Sequence, residues 1–108
     1  MKRGSVVIFR ESNSPAAKAR PCIVVQSAAT LSVSTKVIAV PLSTTIRNIP
    51  MARPLIAPNS ENGLNRLCEA EVDWVFSFKR ERLGAVIGQL DTGVMQQIDA
   101  ALRRWLDL

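Results

Sequence analysis

The sequence contains no histidine, the side chain that most often serves as a general base or a metal ligand. It also contains no Gly-rich phosphate-binding loop, no G-x-S-x-G nucleophile turn and no C-x-x-C pair. Its only two cysteines, Cys22 and Cys68, lie far apart among apolar residues, a setting typical of buried reduced thiols. We therefore expect no metal, no cofactor and no serine-hydrolase chemistry.

Long apolar runs are absent as well. No run is long enough to cross a membrane, and the apolar stretch in the N-terminal MKRGSVVIFRES is too short for a signal peptide, so we expect a cytoplasmic protein. The 108 residues, 47% of them hydrophobic, predict one domain over residues 1–108. The formal net charge of +5 favours an anionic partner, such as nucleic acid, an acidic polypeptide or a membrane surface.

Three segments dense in Val and Ile predict the strands of a first sheet: 5–9 (SVVIF), 21–26 (PCIVVQ) and 36–42 (KVIAVPL). Pro41 lacks a backbone donor, so the third strand is expected to end there or to lie at an edge. The polar segments 10–19 and 43–50 are typical of surface loops, on which a site can be displayed.

Shorter strands are predicted within 51–58 and 65–72, and further strands over 73–78 (DWVFSF) and 85–90 (AVIGQL). In 73–78 the aromatic residues alternate with Val75 and Ser77, so that Trp74, Phe76 and Phe78 fall on one face. We expect this face to pack in the core, because a platform for stacking nucleic-acid bases would place basic residues beside the rings.

The C-terminal segment 91–108 changes to a helical period. Apolar residues recur on one face of a helix at Val94, Ile98, Ala101, Leu102 and Trp105. Asp91 or Thr92 is expected to cap its N-terminus, and Trp105 is expected to be buried. The predicted fold is mainly β with a C-terminal helix: a small, strongly curved β-barrel closed by an amphipathic α-helix.

Four segments occur in the order and spacing typical of one bacterial family: KRGSVVIF, RPCIVVQS, VIAVPLST and RLGAVIGQLDTGVMQQIDAALRRWLDL. In these segments the chain resembles the MazF/PemK family of toxin endoribonucleases, along nearly its whole length. The resemblance implies a cytoplasmic homodimer of SH3-like (CcdB/PemK-like) barrels, without a membrane partner, and a cognate antitoxin with an acidic disordered tail. It also implies metal-independent cleavage of single-stranded mRNA by 2'-OH attack, which inhibits translation and growth.

The resemblance assigns catalytic roles to three residues. Arg20, in the Arg-Pro pair, takes the place of the family's catalytic arginine, and Ser43 that of a hydroxyl residue that is more often Thr. A guanidinium donates two parallel hydrogen bonds to phosphate oxygens and a hydroxyl adds a third. Asp73 matches a carboxylate that transfers protons in some members, or else it is an ordinary ion-pair partner of a Lys or Arg. Members often carry Glu or His shortly before the Arg-Pro pair, whereas here no carboxylate lies between Glu11 and Arg20.

A basic groove between two protomers is expected to bind the RNA, with an affinity that falls as salt is added. The residues assigned to it are Lys18, Arg47, Arg53, Ser77, Lys79, Arg80 and Arg82. Ser77 follows Phe76, which replaces the arginine of an Arg-Thr pair that is common in the family.

Two other functions fit the sequence. CcdB-like gyrase poisons share the fold and act through a C-terminal helix that ends in Trp-Gly-Ile, whereas here Trp105 is followed by LDL. A noncatalytic RNA- or protein-binding SH3-like module rests on charge and fold alone. Assays of RNA cleavage in EDTA and of gyrase inhibition separate the three functions.

Overall fold

The computed structural model describes residues 1–108, and it is mainly β. Seven strands and two helices follow along the chain: β1 (Ser5–Arg10), β2 (Ala19–Val24), α1 (Ala28–Leu31), β3 (Lys36–Ser43), β4 (Leu55–Ile56), β5 (Cys68–Ala70), β6 (Phe76–Lys79), β7 (Leu83–Gln89) and α2 (Thr92–Leu106). Short 3-10 turns precede β6 and β7. The strands expected within 51–58 and 65–72 are present but short, and α1 was not predicted.

The strands form one antiparallel sheet in the order β4-β5-β3-β2-β1-β7, with β6 also paired to β3. Strand β3 continues through Pro41 to Ser43, so the expectation that it ends at the proline is wrong. Pro41 lies where β3 changes partner, between its last pair with β6 and its first pair with β5. Pro41 is paired with Cys22 of β2, but its carbonyl accepts the N–H of Glu71 on the opposite side of β3. The N and the C=O of one residue point to the same side of a strand, so the missing N–H faces the gap between β6 and β5 and interrupts no ladder.

The sheet buries a different set of side chains on each face, because neighbouring residues of a strand point to opposite sides. On one face Ile23 and Val40 join a core of 13 buried residues that includes the apolar side of α2. On the other face Cys22 and Ala39 join a smaller core of eight buried residues. The result is a half-barrel of antiparallel strands with α2 packed on one side, as the sequence predicts.

Helix α2 begins and packs largely as predicted. The carboxylate of Asp91 accepts the N–H of Val94 at 2.9 Å, which caps the N-terminus. Ile98 and Ala101 are buried in the larger core. The expectation that Trp105 is buried is wrong: its ring is half exposed, and its Nε1–H donates to the carbonyl of Ala52 at 3.1 Å. An indole N–H needs an acceptor, and here the acceptor lies in a surface turn.

Residues 73–78 do not form a single strand. The N–H of Trp74 donates to the carbonyl of Glu71 at 2.9 Å, which closes the 3-10 turn Val72–Trp74, and β6 starts only at Phe76. Phe78 is buried in the smaller core as predicted, but Trp74 and Phe76 are 62% and 53% exposed. The 3-10 turn places Trp74 outside the strand. Phe76 is the first residue of β6 and lies at the end of the β3–β6 ladder, where the sheet no longer covers its ring. The predicted core position is therefore wrong for both.

Candidate active site

Arg20 lies near the start of β2, opposite Phe9 in the β1–β2 ladder. The alternation of the strand places it on the same sheet face as Cys22, which belongs to the smaller core. The ladder between β2 and β3 ends at the pair Cys22–Pro41. Arg20 and Ser43 each stand two residues beyond that pair, so both lie at the same end of the two strands and on the same face.

The guanidinium of Arg20 has almost no partner within the protein. Its side chain is 48% exposed, and its nearest opposite charge is Glu11, with 3.9 Å between Nη1 and Oε1. That separation is too long for a hydrogen bond, and Glu11 is itself well exposed. The donors of Arg20 are therefore available to an external anion.

Ser43 is half-buried at the last position of β3. Its Oγ accepts the backbone N–H of Thr45 at 3.1 Å, which fixes the hydroxyl oxygen at the start of the following loop. The hydroxyl hydrogen is not used by that contact, because the oxygen is the acceptor. Ser43 thus keeps one donor that can meet a ligand.

Arg20 opens onto a cavity of about 530 Å³. Cations outnumber carboxylates in its wall: Arg10, Arg20, Lys36, Lys79 and Arg82 against Glu11 and Glu71. The rest of the wall is mainly aromatic, with Phe9, Trp74, Phe76 and Phe78. The cavity therefore joins positive charge to aromatic surface, a combination that fits an anion carrying a flat ring system.

The predicted site residues divide into two groups around this cavity. Four of them line it: Arg20, Ser77, Lys79 and Arg82. Six of them do not: Lys18, Ser43, Arg47, Arg53, Asp73 and Arg80. Lys18 and Arg47 have exposed side chains in the loops before β2 and after β3. The guanidinium of Arg82 donates to Asn13 Oδ1 at 2.6 Å.

Arg53 is not a solvated loop residue. Its Nε and Nη2 donate to the two carboxylate oxygens of Asp73 at 2.8 and 3.0 Å, and its Nη1 donates to Glu69 at 2.9 Å. Only 11% of the side chain is exposed. These hydrogen bonds raise the pKa of Arg53 and hold the pKa of Asp73 below its usual range. Of the two interpretations of Asp73, the ion pair is therefore the one present in the structure.

Arg80 is also engaged within the protein. Its Nε donates to the carbonyl of Ser34 at 2.8 Å, and its Nη2 donates to the carbonyl of Leu31. Both acceptors lie at or just after the end of α1, where unpaired carbonyls favour a cation. Arg80 was expected to face an RNA groove, but in the structure its guanidinium donates to these carbonyls and fixes the end of the short helix.

Nine residues of the cavity wall were not assigned to a site from the sequence: Phe9, Arg10, Glu11, Lys36, Pro41, Glu71, Trp74, Phe76 and Phe78. Glu11 directly follows β1, and the hairpin pairing of Arg10 with Ala19 brings it beside Arg20. The sequence carried a usable signal for this carboxylate, since residues that flank a hairpin are neighbours across it. Lys36 stands opposite Lys79 in the β3–β6 ladder, which brings two like charges together.

The structure has no group of three or more His, Cys, Asp or Glu residues arranged to hold a metal ion. None of its helices combines the length and the apolar character that crossing a membrane requires.

Comparisons with known proteins agree with the fold and identify the family. A solved mycobacterial structure described as an endoribonuclease in complex with its cognate antitoxin has a TM-score of 0.79 and 27% identity, and covers 100% of this chain and 96% of that chain. A chain of the MazE-MazF structure (Form-III) from Deinococcus radiodurans has a TM-score of 0.81 at 17% identity, and the match covers 100% of this chain and 97% of that chain. The Mycobacterium tuberculosis toxin MazF-mt6 has a TM-score of 0.79 at 22% identity, with 95% and 97% covered.

The last two likenesses concern the fold alone, and they confirm the predicted mainly β, MazF-like fold with a C-terminal helix. No curated protein matches the sequence. A family model described as PemK-like, MazF-like toxin of type II toxin-antitoxin system matches residues 2–106. Because that match spans nearly the whole chain, the protein belongs to the PemK-like, MazF-like toxins of type II toxin-antitoxin systems.

Proposed function

We propose that the chain is a metal-independent endoribonuclease that cleaves single-stranded mRNA and thereby inhibits translation and growth. The observation that carries the proposal is the guanidinium of Arg20, which makes no hydrogen bond within the protein and is half exposed. It lines a cavity in which cations outnumber carboxylates. Family membership and the description of the mycobacterial relative as an endoribonuclease support the same reaction.

In the proposed reaction the RNA supplies its own nucleophile. The 2'-oxygen forms a bond to the adjacent phosphorus while the bond to the 5'-oxygen breaks, which leaves a 2',3'-cyclic phosphate and a 5'-hydroxyl. Negative charge grows on the non-bridging oxygens, where Arg20 donates two parallel hydrogen bonds. Ser43, at the same end of the strand pair, donates a third through the hydrogen that its contact with Thr45 leaves free.

The reaction also needs a group that accepts the proton of the 2'-hydroxyl. Glu11 is the carboxylate nearest to Arg20 and lines the same cavity. Asp73 is a poorer acceptor because both of its oxygens are held by Arg53. We therefore assign the proton acceptor to Glu11, and a water supplies the proton of the leaving 5'-oxygen.

We further propose that the active form is a homodimer and that a cognate antitoxin neutralises it. The chain's net charge of +5 and its basic cavity suit an acidic, disordered antitoxin tail that orders as it binds and competes with RNA. Light scattering at micromolar concentration tests the dimer. Competition between an acidic tail peptide and a labelled oligonucleotide tests the shared surface.

The cleavage assay is a single experiment with two controls. Purified protein is incubated with single-stranded RNA in excess EDTA, and the fragment ends are analysed for 2',3'-cyclic phosphate and 5'-hydroxyl. Arg20→Ala distinguishes cleavage by this site from a contaminating nuclease, and double-stranded RNA tests strand preference. Intact single-stranded RNA after incubation with folded protein contradicts the proposal.

One observation favours a second function. Trp105 and Leu106, at the end of α2, are half exposed, and Leu108 is 85% exposed. An exposed C-terminal helix tip is the feature that a CcdB-like gyrase poison uses. Inhibition of gyrase supercoiling by a protein that leaves RNA intact would favour this function over RNA cleavage.

A further inference from the structure

Two large aromatic side chains lie exposed at the mouth of the cavity that contains Arg20. Trp74 and Phe76 are 62% and 53% exposed, and both line the cavity. Exposed aromatic rings of this size leave apolar area in water, which marks a surface that meets a ligand. The cavity's volume of about 530 Å³ lies within the range typical of sites for small organic groups.

The ring of Phe76 packs against that of Phe78, which in turn packs against that of Phe9. Its centroid lies 5.1 Å from that of Phe78 in an edge-on arrangement, and Phe78 lies 4.6 Å from Phe9 in a tilted one. Phe78 and Phe9 are both buried in the smaller core. Phe76 is therefore backed by fixed core residues on one side and exposed on the other, so little conformational freedom is lost when a flat ligand stacks on it.

The charges around the two rings indicate the kind of ligand. Lys36 and Lys79 stand opposite each other on β3 and β6, and both line the cavity with Arg20. Two lysines in register repel each other unless an anion lies between or near them. A phosphate backbone supplies such an anion, and an unpaired base attached to it supplies the flat ring.

We propose that Trp74 and Phe76 form a stacking site for unpaired bases of single-stranded RNA that flank the phosphate bound at Arg20. The proposal rests on the proposed endoribonuclease function and adds to it a base-binding site. Stacking accepts every base, so the two rings contribute affinity and exclude duplex RNA, whose bases are already stacked. They do not by themselves select a cleavage sequence.

The test uses the fluorescence of Trp74. The chain has two tryptophans, so Trp105→Phe leaves Trp74 as the only indole. The probe is a single-stranded heptamer with 2'-O-methyl ribose, which cannot be cleaved. The second probe carries the same phosphates but abasic residues. We expect saturable quenching of Trp74 by the heptamer and no quenching by the abasic strand.

Substitutions separate stacking from charge. Phe76→Ala is expected to weaken binding of the labelled heptamer roughly 5- to 100-fold, to leave binding of the abasic strand unchanged and to keep the salt dependence of wild type. Phe76→Tyr should retain nearly wild-type affinity, because a tyrosine ring also stacks. Lys79→Ala, in contrast, should lower the salt slope by about 1. Val33→Ala changes an exposed apolar residue outside the cavity and serves as the control.

Three results overturn the stacking site while the wild type still cleaves RNA: unchanged Trp74 emission on saturation with the heptamer, wild-type affinity of Phe76→Ala, or equal weakening of both probes by Phe76→Ala. Protection of Trp74 from acrylamide before any strand is added, together with a dimer by light scattering, would mean that a second copy covers the rings, and this too overturns the proposal. Quenching by the heptamer without cleavage of unmodified RNA supports the stacking site and contradicts the endoribonuclease function.

Discussion

The guanidinium of Arg53 lies 2.9 Å from the carboxylate of Glu69, a side chain with no exposed surface. The same Nη1 lies 3.6 Å from Glu71, and the other donors hold Asp73. The second oxygen of Glu69 accepts the backbone N–H of Arg47 at 2.9 Å. One cation thus satisfies three carboxylates on β5 and the turn after it, and the cluster fastens the loop that follows Ser43 to strand β5.

Removal of Arg53 is expected to destabilise the protein strongly. Arg53→Met leaves the fully buried Glu69 without its cation, and breaking such a pair typically costs about 3–5 kcal/mol. Arg53→Lys should be intermediate, because an ammonium keeps the charge and loses the fork that holds Asp73. The measurement is the free energy of unfolding by urea, with Arg66→Met, at an exposed loop arginine, as the control. Equal urea midpoints for Arg53→Lys and wild type would show that the geometry of the cluster is unimportant.

The ion pair between Asp73 and Arg53 is expected to make the protein less stable in acid. The hydrogen bonds with Arg53 lower the pKa of Asp73 below the ordinary 3.8. A carboxyl group with a lowered folded-state pKa stabilises the fold above its unfolded pKa, and this contribution disappears as pH falls through the folded pKa. The difference in unfolding free energy between wild type and Asp73→Asn should therefore be constant near neutral pH and shrink below about pH 4. A difference that does not change between pH 6 and pH 2.5 contradicts the assignment.

The sequence pattern correctly predicted the three long N-terminal strands and the C-terminal helix. Strands β1 to β3 and helix α2 appear where Val and Ile density and a helical apolar stripe placed them, and Asp91 caps α2. The Arg-Pro pair located Arg20 correctly at the start of a strand.

Tertiary contacts decided the features that the sequence did not predict. The carboxylate partners of Arg53 lie 16 and 20 residues away, and nothing in a linear pattern pairs them. Phe76 and Phe78 lie on one face of β6, as their alternation predicts, but only Phe78 is buried. Alternation predicts which residues share a face and does not predict where along the strand that face becomes exposed. Trp105 lies on the apolar face of α2, which predicted burial, but its ring is half exposed and its Nε1–H donates to the carbonyl of Ala52 in a surface turn.

Substitution of Glu11 is expected to lower the catalytic rate without unfolding the protein. If Glu11 accepts the 2'-hydroxyl proton, Glu11→Gln should lower the single-turnover cleavage rate by roughly 10²–10⁴. The melting temperature should stay unchanged, because Glu11 is exposed and 3.9 Å from its only cationic partner. Glu81→Gln, an exposed glutamate outside the cavity, is the matched control. A wild-type rate for Glu11→Gln would move the base to Glu71.

The two thiols are expected to be unreactive in the native state. Cys22 lies in the smaller core and Cys68 in the larger one, on opposite faces of the sheet, so they remain unpaired. Burial raises the pKa of Cys22 to about 12 and raises that of Cys68 as well. Since the thiolate is the reactive form, iodoacetamide at pH 7.5 should label neither cysteine in minutes and both after unfolding. Mass spectrometry after alkylation reads the result, and rapid labelling of the folded protein contradicts it.

Arg20 carries the sharpest prediction. Arg20→Ala is expected to abolish RNA cleavage while the fold and antitoxin binding persist. Its guanidinium is half exposed with one distant partner, so its contribution to stability is below ~1 kcal/mol. At a phosphate that gains charge, loss of one such donor typically costs about 3 kcal/mol of transition-state stabilisation. Single-turnover cleavage and thermal denaturation are measured side by side, with Arg103→Ala, on an exposed part of α2, as the control.

The conservative variants test the geometry of this contact as well as its charge. Arg20→Lys keeps a cation but loses the two parallel donors, so its rate should lie nearer that of Arg20→Ala than that of wild type. Ser43→Ala removes a neutral donor and should impair cleavage less than Arg20→Ala, whereas Ser43→Thr keeps the hydroxyl and should be tolerated. If Arg20→Ala cleaves at the wild-type rate, or if it unfolds while Arg103→Ala does not, then Arg20 is a structural residue. In that case the cavity binds its anion through Lys36 and Lys79, which stand opposite each other on its wall.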